Sequence, residues 1–321
     1  MKVLSPDRAD PKWVKPLAWG ISFLLIVAAV VIVIRQRDSM SAAIEGVKNA
    51  PLRQLVALLV LPVISVFLTA AAFWQTSRKH GKVGYWEMFA LIGSAWVLNL
   101  LPLKPGLIGR VGYHARYNAI GVPASIKIVL EASGAGLFGV FLLAYPLLRD
   151  RVTSVWIDAV FAPLWIIAIC GGLWGLVRPA NLVASFLTTS MFRMVDAFAW
   201  TLRYGIILQL LGLPPDLGTA FLIAAAAQAA MYVPLVGNGL GVREWAVGSV
   251  ASVVGNESGL TKDIFTRSMP TGLSIDLLNR AAEMLVLVPL GLGCCGWVAR
   301  LVARNEAKLA ATAGPVSSES R

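Results

Sequence analysis

Arg110, Arg193, Arg203, Arg243 and Arg280 each stand inside or beside a strongly apolar run, where a chain of this composition has little reason to place charge. A guanidinium is a planar, permanently charged fork of N–H donors that matches two oxygens of a phosphate or carboxylate at once. Carboxylates accompany these arginines at helical spacing. Arg193 and Asp196 are three residues apart and can pair on one helix face, while Asp276, Arg280 and Glu283 follow at steps of four and three, a stripe expected to point inward. Charge within a crossing segment is costly and usually faces a cavity or a partner. Two readings stay open: ion pairs that glue helices together, or arginines that take a headgroup phosphate while Asp196, Asp276 and Glu283 hold them in place. Lys127 and Glu131, four apart, fit the same description.

Two further stretches break the apolar pattern. The first is "NLLPLKPGLIGRVGYHARYNAIG" from Asn99 to Gly121, and the second is "YVPLVGNGLGVREWAVG" from Tyr232 to Gly248. Superposing Pro102 on Pro234 places Leu103 on Leu235 and Gly109 on Gly241, and an arginine follows each glycine, Arg110 and Arg243. Backbone that leaves helical geometry at membrane depth must face protein or a wet cavity, because lipid cannot satisfy its amides and carbonyls. A matched pair of such interruptions marks a site built from broken or re-entrant helices. Pro102, Gly106, Gly109, Pro234, Gly237, Gly239 and Gly241 are the expected hinge residues. The half-helix after each block would turn free amides and a positive dipole end toward an anion, reinforced by Arg110 and Arg243. In a regular first half-helix Arg110, His114 and Tyr117 share one face. The plainer alternative is a pair of tight, basic loops.

The elements that carry these residues are read from hydropathy. Of the 321 residues 57% are hydrophobic and 14% charged, against roughly 25% charged in a soluble domain. Apolar runs approaching ~20 residues, enough to cross a bilayer, lie near Pro16–Ile34, Leu52–Trp74, Tyr85–Leu103, Ser125–Leu148, Val152–Val177, Leu182–Leu211, Leu217–Pro234 and Leu273–Val302. The expected fold is therefore all-α: a polytopic helical membrane protein of about eight spans, in two pseudo-repeated halves with two re-entrant or broken helices. Residues 1–15 read as a cytoplasmic segment, 16–303 as one membrane domain with repeat-like blocks near 99–121 and 231–255, and 304–321 as a mobile tail. Arg300, Arg304 and Lys308 favour cytoplasmic termini in an inner-membrane, multi-pass protein.

The net charge of +11 is spread over the ends of apolar runs, so it suits topology and anionic headgroups rather than nucleic acid. Cys170, Cys294 and Cys295 have no metal-like spacing and read as small buried hydrophobes, and two distant histidines do not make a zinc site. No cofactor is expected.

At the two interrupted blocks the sequence resembles the flippase-like integral membrane family that includes the transmembrane region of lysylphosphatidylglycerol synthases. The resemblance rests on Asn99, Pro102, Gly106 and Arg110, on Gly237, Gly239, Gly241 and Glu244 in "GNGLGVRE", and on Arg280 in "LLNRAAE", and it covers most of the chain. Departures are Lys104-Pro105 before Gly106, Val236 before the second glycine block, and "LEASG" at Glu131 where Glu-Arg and an acidic residue would stand. The aminoacyl-transferase domain of full synthases is not among these residues. The resemblance implies a module that handles phospholipid, anionic or aminoacylated, and moves it between leaflets. The headgroup would meet Arg110, His114, Arg193, Arg203, Arg243 and Arg280, supported by Asn99, Asp196, Glu244, Asp276 and Glu283.

Two other classes compete. One is a membrane-embedded transferase acting on a lipid-linked substrate, with Glu244, Glu131 or Asp196 as acid or base; against it, no carboxylate pair is placed for catalysis. The other is a subunit that recruits a separate lipid-modifying enzyme, as a homo-oligomer or with a soluble partner. "GNGLGV" is not a dinucleotide fingerprint and the phosphate-loop pattern is missing, so an enzyme is the less expected outcome and transport would be gradient-driven or passive.

Overall fold

A computed structural model describes residues 47–101, 104–148, 155–177, 181–213, 215–231, 242–257 and 264–312, with side chains apart from those of 148, 155–157, 244, 251–273 and 312. Every regular element among them is a helix: α1 Leu52–Ser77, α2 Tyr85–Leu98, α3 Pro105–Tyr117, α4 Val122–Leu148, α5 Val155–Val177, α6 Leu182–Leu210, α7 Leu217–Met231, α8 Val242–Glu257 and α9 Ile264–Thr312. Five of these, α1, α4, α5, α6 and α9, are long and apolar enough to cross a membrane. This is a helical membrane protein.

Among the described residues the expected spans and the helices differ at α2, α7 and α9. The run Pro16–Ile34 lies outside the described residues. The helices α2 and α7 are apolar but have 14 and 15 residues, or ~21 and ~22 Å, short of the ~30 Å hydrocarbon layer. The first of them stops where an interrupted block begins. At the other extreme α9 has 49 residues and continues past Arg304 to Thr312, into the stretch expected to be a mobile tail. Its end is tied to α3: Glu306 accepts from Arg116 Nε at 2.7 Å and from the Tyr117 hydroxyl, and Asn305 Nδ2 donates to Tyr113 Oη at 3.3 Å.

Local chemistry sets the helix ends. Asn181 Oδ1 accepts from the Val183 and Ala184 amides at the start of α6, and Asp216 does the same for Gly218 and Thr219 at the start of α7. Glu87 in the first turn of α2 reaches back to the Gly84 amide. At the end of α6, Gly212 takes φ +68°, and the Gly212 and Leu213 amides bond the carbonyls of Gln209 and Leu208, the glycine-terminated turn that frees the chain from the helix.

The chain divides into two compact units. One is built from the described parts of Met1–Leu58, Leu98–Pro105 and Thr201–Ala282, and the other from Leu59–Val97, Gly106–Trp200 and the described part of Glu283–Arg321. In the second unit the core joins Val66 and Ala70 of α1, Met88, Phe89 and Ile92 of α2, Ile128 of α4, and Leu287 and Cys294 of α9. There α5 lies directly on α6: a methyl group at Gly175 would sit 2.2 Å from the Ala184 carbonyl oxygen and from Thr188 Oγ1. The helices are also bonded, since Thr188 Oγ1 donates to the Gly172 carbonyl at 2.7 Å and Gln75 Nε2 of α1 to the Gly175 carbonyl at 3.0 Å. Small residues and hydrogen bonds of this kind hold helices together where lipid offers no hydrophobic drive.

The cysteines separate by exposure. Cys294 is buried against Gly93, whereas Cys170 is exposed, contrary to the expectation of a buried hydrophobe; it lies on the face of α5 turned away from α6 contacts. In purified protein a maleimide soluble in detergent should therefore label Cys170 promptly and Cys294 only after unfolding. Equal labelling rates, read by mass spectrometry of peptides, would contradict this placement.

Candidate functional site

The charged stripe of α9 is buried as expected, with Asp276, Arg280 and Glu283 all withdrawn from solvent. In the first unit Asp276 is the centre of a polar network that draws on three helices. Asp276 Oδ1 accepts from Arg243 Nε of α8 at 2.8 Å and from Tyr204 Oη of α6 at 2.6 Å. Tyr204 Oη in turn accepts from Asn279 Nδ2 at 3.3 Å and lies 3.5 Å from Arg243 Nη2. Arg203 Nη2 donates to Asn279 Oδ1. Arg203, Tyr204, Asp276 and Asn279 are each fully buried and Arg243 is 2% exposed. Asp276 Oδ2 is also sealed from solvent, and no donor among the described residues reaches it.

Two members of this network, Tyr204 and Asn279, were not among the expected site residues. Asn279 was findable: it lies on the Asp276, Arg280, Glu283 face at a helical step of three from Asp276. Tyr204 had only its place beside Arg203, and its bond to Asp276 depends on two helices 72 positions apart in sequence. Lys104 has a use as well. At φ +47° just before Pro105, it sends Nζ to the Met231 carbonyl at the end of α7, at 2.8 Å, a cation on the negative end of that helix.

Arg110, His114, Arg193, Asp196 and Glu283 fall in the second unit. Arg193 Nη1 bonds Asp196 Oδ2 at 3.1 Å, the pairing expected from their spacing, and also Thr69 Oγ1 of α1 at 3.1 Å. One turn along α1 from Thr69, the Arg110 guanidinium of α3 lies over the Phe73 ring at 4.0 Å. His114 is buried on α3, its Nδ1 3.0 Å from Asn118 Oδ1. Asn118 Nδ2 donates to the Lys82 carbonyl and to Glu87 Oε1. Tyr117 faces α9 through Glu306 rather than joining Arg110 and His114 in a ligand face.

Several expectations change. Glu131 pairs with Lys79 at the end of α1, not with Lys127, which is exposed. Partial burial and the neighbouring Lys79 ammonium hold the adjoining His80 ring below its usual range. Gly106 serves close packing, not hinging: a methyl group there would sit 2.5 Å from the Ala95 backbone of α2. Gly109 has open space around it and a helical φ. Pro102, Pro234, Gly237, Gly239, Gly241 and the Glu244 side chain lie outside the described residues, while Asn99 is half-buried at the end of α2.

No family model, curated protein or solved structure matches this chain. Among the described residues of the first unit the buried charges are Arg203, Arg243 and Arg280 against Asp276, so guanidinium groups outnumber carboxylates there. A site of this composition favours an anion, and the sealed Asp276 Oδ2 offers that anion's substituents one acceptor.

Proposed function

We propose that this chain is a flippase-like membrane protein that binds anionic or aminoacylated phospholipid and moves it between the leaflets of the cytoplasmic membrane, with both termini in the cytoplasm. The observation that carries the reading is the fully buried Arg203, Arg243, Asp276 network with its spare carboxylate oxygen. Burying such a network without a ligand is expensive, and a buried ionisable group in a membrane helix is a functional group by default. Guanidinium forks would take the phosphate, and Asp276 Oδ2 would accept from a headgroup ammonium or hydroxyl. The acyl chains would stay in the bilayer while the site opens to each leaflet in turn.

The resemblance at Asn99, Pro102, Gly106, Arg110, Gly237, Gly239, Gly241, Glu244 and Arg280 supports the same reading. So does the order of elements: a short apolar helix and a short polar one occur twice, as α2 with α3 and as α7 with α8. We take these as the broken helices of two pseudo-repeated halves in an eight-span bundle.

The test is leaflet exchange in liposomes containing pure protein and labelled phosphatidylglycerol, its aminoacyl ester or phosphatidylcholine. Phosphatidylglycerol and the ester should exchange faster than phosphatidylcholine, whose quaternary ammonium has no N–H to donate to Asp276. The double variant Arg243→Leu with Asp276→Leu removes both charges of the pair at once, so it should stay folded yet lose about tenfold or more of the exchange, the worth of one charge-assisted hydrogen bond. Equal exchange of all three lipids by both proteins would overturn the assignment.

A further inference from the structure

Arg110 is 7% exposed, and its guanidinium carbon lies over the Phe73 ring of α1, 4.0 Å from the ring centroid. Among the described residues it has no hydrogen bond to a carboxylate or a carbonyl. Its neighbour on the same α1 face is the contrast: Arg193, one turn away at Thr69, has Asp196 as its counter-ion. A cation–ring contact spends none of the guanidinium N–H donors, which are the groups that grip two oxygens of a phosphate or carboxylate. A buried cation with its donors unspent is costly until an anion supplies the missing acceptors.

A second group stands one turn on. His114 is 3% exposed, and its Nδ1 faces Asn118 Oδ1. Asn118 commits its amide nitrogen to the Lys82 carbonyl and Glu87 Oε1, so its oxygen is the end turned to His114. An amide oxygen only accepts, which assigns the ring hydrogen to Nδ1 and leaves Nε2 of the neutral ring as an acceptor. Glu87 is bonded to Asn118 and to the Gly84 amide.

We propose that the α3 face carrying Arg110 and His114, seated on Phe73, is an anion site for a phosphate group that bears a hydrogen-bond donor, such as a phosphomonoester or its P–OH monoanion. The arginine edge binds the phosphate oxygens and His114 Nε2 accepts from the P–OH. The phosphate is that of a lipid headgroup or a free one. This site lies wholly in the second unit, apart from the Asp276 network, and binding there does not require that lipid be moved.

The experiment is thermal unfolding of the purified full chain in neutral detergent, titrated with inorganic phosphate, monomethyl phosphate, dimethyl phosphate, and mixed micelles containing phosphatidic acid. Phosphate and monomethyl phosphate should raise the melting temperature at concentrations about tenfold lower than dimethyl phosphate, which has no P–OH to donate. His114→Phe should erase that preference while keeping a response to both. Arg110→Met should abolish the response to every probe and melt higher than the unmodified protein when no anion is present, because it removes an uncompensated buried charge. Arg110→Lys, which keeps the charge without the fork, should respond only weakly. A response to the small phosphates identifies a free-phosphate site, and a response confined to phosphatidic acid identifies a lipid headgroup. The proposal is overturned if no probe stabilises the unmodified protein, or if Arg110→Met responds as strongly as it does. Leaflet exchange that fails while these shifts persist would remove the translocase reading and leave this site standing.

Discussion

Replacing Asp276 with alanine should destabilise the protein by about 3–5 kcal/mol, because it takes a bonded carboxylate away from a buried guanidinium. Asp276 is fully buried, and its Oδ1 holds both Arg243 Nε and the Tyr204 hydroxyl. Its loss deprives Arg243, itself 2% exposed, of this carboxylate, and deprives Tyr204 of the acceptor that its hydroxyl donates to. Removing both members of the ion pair is a different perturbation, since well-packed apolar residues of similar volume often replace a buried pair at little cost. The Arg243→Leu, Asp276→Leu protein should accordingly be more stable than Asp276→Ala, by about 2 kcal/mol or more, and the mutational cycle should show strong coupling. Unfolding in mixed micelles, followed by circular dichroism, measures all three proteins. A loss below about 1 kcal/mol for Asp276→Ala, the range of exposed pairs, would mean that the network is not sealed as described.

The second large effect separates two glycines in one turn of α3. A methyl group at Gly106 would stand 2.5 Å from both Cα and O of Ala95, atoms of the α2 backbone that cannot rotate away. Gly106→Ala must push α3 off α2, and overpacking of this kind costs about 1–3 kcal/mol. Gly109, three residues on, has nothing within 4 Å of the same methyl and is exposed. There alanine should stabilise the helix by about 0.5–1 kcal/mol, through its better propensity and its smaller unfolded-state entropy. Melting temperatures that move in opposite directions for the two substitutions would support this geometry, and parallel shifts would contradict it. Displacing α3 also moves Arg110, which follows Gly106 by one turn, relative to Phe73. Gly106→Ala should therefore lose the phosphate-induced stabilisation and Gly109→Ala should keep it.

Much of this architecture could be read along the chain because it is local. An apolar run of span length becomes a helix. Arg193 and Asp196 pair because a spacing of three puts them on one face. The α9 stripe is buried because charge at helical spacing in an apolar run has few other places to go. The misread features are the ones in which a residue's partner lies on another element. Glu131 has Lys127 at the right step on its own helix but meets Lys79 in the turn after α1. Tyr117 has the step to join Arg110 and His114 but is taken by Glu306, 189 positions away.

The sequence by itself determined that this is an all-helical membrane protein, and which side chains carry charge into its helices. It also determined the pairs that a single helix brings together, because those depend only on helical periodicity and on the cost of charge away from water. Tertiary structure alone decided which helix faces meet. It placed Arg243, Tyr204 and Asn279 around Asp276, sorted Arg110 and Arg193 into a different unit from Arg203 and Arg243, and turned Gly106 from an expected hinge into a contact point. The physical reason is that a buried charge constrains its environment without naming its partner: many distant side chains could satisfy Asp276, and only the packing of α6, α8 and α9 selects among them.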